Sequence, residues 1–374
     1  MKRLFIFCVS VACLFSCKSG ASIRDEVILF AGAYSTGEDP CISVFNFNQK
    51  DGSLIFLNDI RGENIQNPSY LVVSEDNKYV YSVNETLEGA VSAFLFDGKT
   101  NTLKYLNSQP TNGAHPCFIN ADNTGKFIVT ANYSGGSITV FPLSDDGTIE
   151  PLCRLVDFNA ISEPASRLHT VQFSPDGRYL FATDLGKDLI YRFTINADNI
   201  KTLISGNYTV ATALTAGSGP RHLTFHPSGK FLYCIDELSG MVDALKYSAN
   251  DGQLTAIQAV ASDTTTVSPR KGSADIHISP DGRFLYSSNR LQNDGIAIFE
   301  IDVTSGMLTK VGEQKTDIHP RNFIISPNGK YLLCACSHSN SIQVFERDEN
   351  TGLLHLIATD YSIAKPVCLK WGWK

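Results

Sequence analysis

Five polar side chains, widely separated in the chain, form the combination that most directly suggests chemistry. They are one histidine, one glutamate and three arginines: His169, Glu237, Arg221, Arg290 and Arg321. Guanidinium groups bind carboxylate or phosphate oxygens through paired hydrogen bonds and can stabilise an oxyanion. Histidine and glutamate are the usual general acids and bases. If the fold brings these side chains together, they form a site for an anionic substrate that undergoes proton transfer.

A repeat in the sequence provides the elements that must position them. One unit occurs six times, for example as Ser174-Pro-Asp-Gly-Arg-Tyr-Leu-Phe and Ser279-Pro-Asp-Gly-Arg-Phe-Leu-Tyr. Its basic anchor residue recurs at spacings of 48, 52, 52, 53 and 47 residues, at Lys78, Lys126, Arg178, Lys230, Arg283 and Lys330. Each unit contains a short apolar strand, a tight turn, a second strand and two further alternating segments. Four short strands in a repeat of about 50 residues are typical of a β-propeller blade.

The two ends of the chain complete the predicted fold. Pro366 to Trp371 matches the innermost strand of a blade, and Val27 to Phe47 matches the strands that follow it. Together they predict a blade shared by both termini, which closes the ring and removes exposed sheet edges. The sequence therefore predicts an all-β fold, a seven-bladed β-propeller with four antiparallel strands per blade, over residues 26–374.

Aligning the repeats separates structural positions from candidate site positions. Four residues after the anchor every unit has a small residue, as packing requires: Ser82, Thr130, Ala182, Cys234, Ser287 and Cys334. The residues nine before and seven after the anchor are instead unlike and largely polar. The first set includes His169, Arg221 and Arg321, and the second includes Glu237 and Arg290. Both sets lie at the same end of their blades, so we expect them to meet at one mouth of the central channel. A structural ion pair between Arg290 and Glu237 is the alternative.

Several longer segments are distinctive. They are Ala131-Asn-Tyr-Ser-Gly-Gly, His169-Thr-Val-Gln-Phe-Ser, Gly219-Pro-Arg-His, Ser287-Ser-Asn-Arg and Pro320-Arg-Asn-Phe. In these segments and their order the chain resembles the bacterial propeller 6-phosphogluconolactonases and their relatives, the fungal carboxymuconate lactonizing enzymes. The resemblance implies that His169, Arg221, Glu237 and Arg290 are catalytic. We expect His222, which lies within the Gly-Pro-Arg-His segment, and Arg321, which the repeat alignment places at the same mouth, to contact the substrate. The resemblance further implies that neither an organic cofactor nor a metal is required.

The reaction implied by the resemblance is hydrolysis of a sugar-acid lactone such as 6-phosphoglucono-1,5-lactone, a carboxylic ester hydrolysis. Arg221 and Arg290 would hold the phosphate or carboxylate and the lactone carbonyl. His169 or Glu237 would take a proton from water while the other protonates the ring oxygen. Two alternatives stay open: a lactonizing cycloisomerase that uses the same residues, and a propeller that binds a ligand or a protein without catalysis.

The first residues predict export. A basic start and an apolar run to Phe15 are typical of a signal peptide, over residues 1–16, and the run is too short for a permanent membrane span. The sequence Leu14-Phe15-Ser16-Cys17 resembles a bacterial lipobox. We therefore expect a lipid on Cys17, a tether over residues 17–25, and a membrane-anchored protein that faces the periplasm.

Charge and cysteine content narrow the expected partners. Without residues 1–16, which contain two of the 31 basic residues, the formal net charge is −9. An acidic chain argues against nucleic acid as a partner, because phosphate contacts need clustered Lys and Arg. The cysteines after Cys17 lie at long, irregular spacings that do not form a disulfide framework. Cys334-x-Cys336-x-His338 is interpreted as a strand and not as a metal site. The expected partner is a small anionic lactone, with membrane contact only through Cys17.

Overall fold

All regular structure in the described part of the chain is β-strand. The computed structural model describes residues 24–158, 161, 163–196, 202–204, 207–266 and 271–373. Within these residues it contains twenty-eight strands and no α-helix. In chain order the strands are β1 (Glu26–Ala33), β2 (Ile42–Asn48), β3 (Leu54–Ile60), β4 (Leu71–Val73), β5 (Tyr79–Asn84), β6 (Ala90–Asp97), β7 (Thr102–Pro110), β8 (Pro116–Ala121), β9 (Phe127–Asn132), β10 (Ser137–Pro142), β11 (Arg154–Asp157), β12 (Leu168–Phe173), β13 (Tyr179–Asp184), β14 (Leu189–Thr194), β15 (Thr209–Ala213), β16 (Pro220–Phe225), β17 (Phe231–Asp236), β18 (Met241–Tyr247), β19 (Leu254–Ala261), β20 (Ile276–Ile278), β21 (Phe284–Asn289), β22 (Gly295–Ile301), β23 (Leu308–Lys315), β24 (Pro320–Ile325), β25 (Tyr331–Cys336), β26 (Ser341–Arg347), β27 (Leu354–Ser362) and β28 (Pro366–Gly372).

These strands form seven four-stranded antiparallel sheets, the blades of a propeller. Blade 1 contains β28, β1, β2 and β3, and blades 2 to 7 each use four consecutive strands. The first strands of neighbouring blades contact one another around a central channel. In blade 1 the C-terminal strand β28 is innermost and pairs with β1, from Ile28 opposite Gly372 to Ala33 opposite Pro366. The predicted seven-bladed architecture and its closure by the two termini are confirmed.

The turn between the first and second strands explains the most regular part of the repeat. In the unit at Ser174, the Ser174 hydroxyl donates to Asp176 and accepts from the Tyr179 amide. The residue before the anchor has a positive φ, between 58° and 75°, in all six units: Asn77, Gly125, Gly177, Gly229, Gly282 and Gly329. Glycine adopts this left-handed conformation without a steric penalty, and asparagine tolerates it better than most residues. The turn chemistry therefore fixes the sequence motif.

No disulfide joins the cysteines of the described residues. Cys234 and Cys334, at the small-residue position, are fully buried in the second strands of their blades. Cys334 and Cys336 both lie in β25, which confirms the strand interpretation for the two cysteines, whereas His338 lies in the turn that follows. The seven cysteines among the described residues are free thiols. None of the described segments forms a helix long and apolar enough to cross a membrane. The predicted signal peptide, Cys17 and most of the tether lie outside the described residues.

Candidate active site

A β-bulge recurs at the start of the innermost strands and places the candidate residues. In blades 3, 4, 5 and 7 the pairing of the first two strands skips one residue, nine before the anchor: Cys117, His169, Arg221 and Arg321. Consecutive residues of a regular strand point to opposite faces, whereas a bulge re-aims the extra side chain. As a result Arg221 and its neighbour His222 contact each other, with Nη1 of Arg221 3.2 Å from Nε2 of His222.

The bulged Arg221 meets Glu237, the first residue after β17. Nε of Arg221 donates to Oε2 of Glu237 over 2.8 Å, and Nη2 of Arg290 lies 3.4 Å from the same oxygen. Both arginine side chains are almost completely buried, while that of Glu237 is 26% exposed. Within the described residues Oε1 of Glu237 makes no hydrogen bond. The predicted convergence of these three residues is confirmed, and the ion pair leaves Oε1 of Glu237 without a hydrogen-bond partner among the described residues.

The remaining donors of the two arginines are largely committed to the protein. Arg221 also donates to the Ala274 carbonyl, and Nε of Arg290 donates to the Gly272 carbonyl over 2.6 Å. Nη1 of Arg290 lies 3.5 Å from Nε2 of His319. Arg221 and Arg290 therefore serve first to hold Glu237.

Electrostatics keep Glu237 ionised. Burial by itself would raise the pKa of Glu237, but the charges of Arg221, Arg290 and Arg321 outweigh it and lower the pKa below the usual 4.5. Burial and repulsion by Arg221 lower the pKa of Arg290 to about 9, so its guanidinium is still charged at neutral pH. At neutral pH the cluster is thus a carboxylate held between two cations.

His169 lies beside this cluster and is uncharged. Its ring packs edge-on against Tyr133 at 5.7 Å and against His222 at 5.1 Å between ring centroids. The side chain is buried, and its Nδ1 has no hydrogen-bond partner among the described residues. Burial, and then the positive charge of Arg221, lower the pKa of His169 well below 6.5. His169 is therefore a neutral imidazole with an unused nitrogen.

Arg321 occupies the other side of the mouth with two residues that the sequence analysis did not select. Nη2 of Arg321 lies 3.9 Å from Oε2 of Glu85, which also accepts a 3.1 Å hydrogen bond from the Tyr34 hydroxyl. The Arg321 guanidinium stands 5.3 Å from the centre of the Tyr34 ring. Glu85 occupies the same repeat position as Glu237, so the repeat alignment could have identified it as a site residue. Tyr34 occupies that position in blade 1, where no anchor exists and only strand pairing reveals the register. We call the group Arg221, Glu237, Arg290, Arg321 and Glu85 the entry mouth.

His222 lies one layer below the entry mouth. Its Nδ1–H donates to Oδ1 of Asp275 over 2.7 Å, which leaves Nε2 to accept from Nη1 of Arg221. Burial and the charge of Arg221 lower the pKa of His222 to about 3, despite Asp275. Because both ring nitrogens have protein partners, His222 supports Arg221, and its contact with a substrate stays a prediction.

The entry mouth can bind an anion and move a proton. Three guanidinium groups face two carboxylates, which gives a net charge of +1. An ionised Glu237 with a free oxygen can accept a proton, and the neutral His169 can donate or accept a hydrogen bond. Among the described residues no group of three or more His, Cys, Asp or Glu side chains is arranged to hold a metal ion.

The fold and this site define a family of propeller enzymes. Residues 28–371 match the family model described as Lactonase, 7-bladed beta-propeller, and the chain belongs to this family. A 6-phosphogluconolactonase from Formosa agariphila is 38% identical over 340 residues, which cover 87% of this chain and 94% of the relative. The resemblance inferred from the sequence segments is confirmed.

Solved structures agree with this assignment. A Bacteroides fragilis protein provisionally assigned as a 6-phosphogluconolactonase is 48% identical, with a TM-score of 0.86 over 94% of this chain and 99% of that chain. A periplasmic gluconolactonase from Pseudomonas aeruginosa is 28% identical, with a TM-score of 0.85 over 93% of this chain and 99% of that chain. The similarity therefore extends over the whole propeller.

Proposed function

We propose that this protein hydrolyses a sugar-acid lactone at the entry mouth, as a carboxylic ester hydrolase, and that 6-phosphoglucono-1,5-lactone is its substrate. One observation carries the proposal: Arg221 and Arg290 both hold Oε2 of Glu237 and leave Oε1 uncommitted. The relatives named 6-phosphogluconolactonase and gluconolactonase, similar over nearly the whole chain, support the reaction class.

Glu237 acts on the attacking water. Its lowered pKa makes it a carboxylate at neutral pH. Oε1 accepts one proton while the water oxygen bonds to the lactone carbonyl carbon. The two arginines fix the carboxylate in one orientation, so that little reorganisation is needed when the proton moves.

Arg321 stabilises the oxyanion that forms on the carbonyl oxygen. It is the least committed of the three arginines, since its partners among the described residues are Glu85 at 3.9 Å and the Tyr34 ring. Its side chain is 16% exposed, compared with 2% for Arg221. The same positive mouth attracts the phosphate of a phosphorylated lactone.

Collapse of the intermediate breaks the bond between the carbonyl carbon and the ring oxygen. The proton held by Glu237 passes to that oxygen, and the new carboxylic acid ionises into solvent. His169 stays neutral at this pH and orients the ring oxygen or the water through a hydrogen bond. In this scheme Glu237 is the acid and the base in turn.

The test is lactone hydrolysis by purified residues 18–374, followed by pH-stat on 6-phosphoglucono-δ-lactone and glucono-δ-lactone. We expect turnover above the spontaneous rate, and a fall of about 100-fold or more in Glu237→Gln, the usual contribution of a general base. Glu346→Gln, a matched change at an exposed position, should retain full activity. Preference for the unphosphorylated lactone would overturn the named substrate but not the reaction. Failure of the wild type on both lactones would overturn the proposal and favour the cycloisomerase or binding-protein alternatives.

We also propose that the chain is exported and anchored to the membrane through a lipid on Cys17, facing the periplasm. The N-terminal sequence supports this, as does similarity to a protein named a periplasmic gluconolactonase. Expression of the full chain with a labelled fatty acid should label the wild type and Cys13→Ser, but not Cys17→Ser. Equal labelling of Cys17→Ser would contradict the anchor.

A further inference from the structure

A cavity lies toward the other end of the innermost strands, away from the entry mouth. It has a volume of about 340 Å³ and lies in the pocket range typical of small ligands. Its walls include the residue six before the anchor from each of five blades: Val72, Asn120, Gln172, Thr224 and His277. Blade 1 has no anchor, but strand pairing places Lys370 at the equivalent position, and Lys370 also lines the cavity. Most of these equivalent residues are polar and unlike, as at the entry mouth. We call this space the lower cavity.

A layer of side chains separates the lower cavity from the entry mouth. It consists of residues eight before the anchor and includes Tyr70, Phe118, His222 and Asp275. The Tyr70 and Phe118 rings stack with centroids 4.1 Å apart, and the His222 ring meets both edge-on. All four side chains are buried, so the lower cavity is a separate compartment and not a continuation of the entry mouth.

The lower cavity contains a cation that has no ion-pair partner among the residues that the structure describes. The carboxylate of Asp275, which also lines the cavity, is occupied by hydrogen bonds from His222, His277 and Asn322. Nζ of Lys370 stands 4.3 Å from the centre of the Tyr70 ring, and it forms no ion pair within the described residues. An ammonium group that is only partly exposed and lacks a carboxylate partner favours an anionic ligand.

Polar groups for hydroxyl recognition surround Lys370. In the described part of the chain the Thr224 hydroxyl makes no hydrogen bond, and Gln172 uses only its amide nitrogen, on the Phe173 carbonyl. His277 uses only Nε2, on Asp275. The lower cavity thus offers free acceptors and a free hydroxyl beside one cation.

We propose that the lower cavity binds a small hydroxylated carboxylate, whose carboxylate pairs with Lys370 and whose hydroxyls contact Thr224, Gln172 and His277. The proposal does not rest on lactone hydrolysis at the entry mouth. Trp371 borders the lower cavity and is one of only two tryptophans in the chain, so its fluorescence reports occupancy.

The experiment titrates residues 18–374 with sodium gluconate and records tryptophan emission. We expect a saturable change that sodium chloride at equal ionic strength and the neutral polyol sorbitol do not produce. Lys370→Met should weaken binding at least 10-fold. Lys365→Met, which removes an exposed charge in the same blade, and Arg321→Met, which alters only the entry mouth, should leave the affinity unchanged.

Several outcomes would overturn the proposal: no saturable response, an equal response to sodium chloride or sorbitol, or loss of the response in Arg321→Met but not in Lys370→Met. If Lys370→Met does not fold, Thr224→Val replaces it and should weaken binding severalfold. Unchanged affinity in Thr224→Val would then contradict the proposal. This experiment does not measure lactone hydrolysis, so a negative result in the binding experiment can be distinguished from a failure of the proposed hydrolase activity.

Discussion

Nε of Arg221 donates to Oε2 of Glu237 over 2.8 Å and joins the bulged residue of β16 to the first residue after β17. The two residues are 16 positions apart in the chain and face each other at the open end of the hairpin formed by β16 and β17. The bulge brings the guanidinium into the channel, and the neighbouring Arg290 adds a second cation at the same oxygen. This arrangement sets the ionisation of Glu237, and most of the expected behaviour of the entry mouth depends on it.

Replacing Arg290 should raise the pKa of Glu237. Burial of Glu237 works in that direction, and the arginine charges oppose it. In the wild type the acid limb of kcat/KM should lie below pH 4.5, because the pKa of Glu237 is lowered. In Arg290→Met the limb should move to higher pH, by about one unit for every 1.4 kcal/mol of lost interaction. Profiles from pH 3.5 to 6.5 measure this, with the exposed Arg61→Met as the control. An unmoved limb would mean that Glu237 is not the titrating base.

Asp275 should act on the entry mouth through His222. Its carboxylate fixes the proton of His222 on Nδ1, so that Nε2 can accept from Arg221. Asp275→Asn removes this constraint, and we expect kcat to fall about 10-fold with little change in KM, as for other residues that orient a functional group. His277→Gln removes a different partner of Asp275 and should leave kcat near the wild-type value. A parallel loss in both variants, accompanied by a lower melting temperature, would indicate a structural role only.

Glu85 should tune the preference between phosphorylated and neutral lactones. Glu85→Gln raises the net charge of the entry mouth from +1 to +2. The KM for 6-phosphoglucono-δ-lactone should fall severalfold at low ionic strength, and the gain should shrink as added salt screens the charges. The KM for glucono-δ-lactone, which carries no charge, should not change. Glu88→Gln, on the exposed part of the same loop, provides the control. Equal effects on both lactones would rule out a charge mechanism.

The buried neutral histidine His169 should make the fold sensitive to acid. Its folded pKa lies well below its unfolded value of about 6.5, so the unfolded chain binds one more proton between these values. The stabilising contribution is therefore complete above pH 6.5 and is lost as the pH falls toward the folded pKa. Burial and the charge of Asp243 raise the pKa of Asp236 to about 8. Asp236 therefore changes the stability in the opposite direction with pH, but it does so equally in the wild type and in a His169 variant.

The comparison that isolates His169 is between the wild type and His169→Gln. Between pH 5.5 and 4.5 the free energy of unfolding should decline less steeply in His169→Gln, by about 1.4 kcal/mol per pH unit. Urea unfolding at several pH values measures both slopes. Equal slopes would show that His169 is protonated in the folded protein.

Strand pairing explains why part of the site could be predicted and part could not. The repeat marked the start of the first strand and the end of the second strand in each blade. These two points lie at the same end of the blade, so His169, Arg221, Glu237, Arg290 and Arg321 could be placed at one mouth. Glu85 stood at the same repeat position, but nothing local distinguished it. Tyr34 lies in blade 1, where the first and second strands come from opposite ends of the chain and no anchor residue remains.

The sequence by itself determined the propeller, because turn glycines, small second-strand residues and alternating apolar strands are local requirements that recur with every blade. It also determined which residue types gather at the entry mouth. Only the tertiary structure decided how they are used. The bulge at Arg221 re-aims a side chain without a sequence signature, and the choice of partner follows from packing between blades. Contacts between distant strands decide three features of the molecule. Two arginines bind Oε2 of Glu237, and Asp275 accepts a hydrogen bond from His222. The ammonium group of Lys370 lies over the Tyr70 ring.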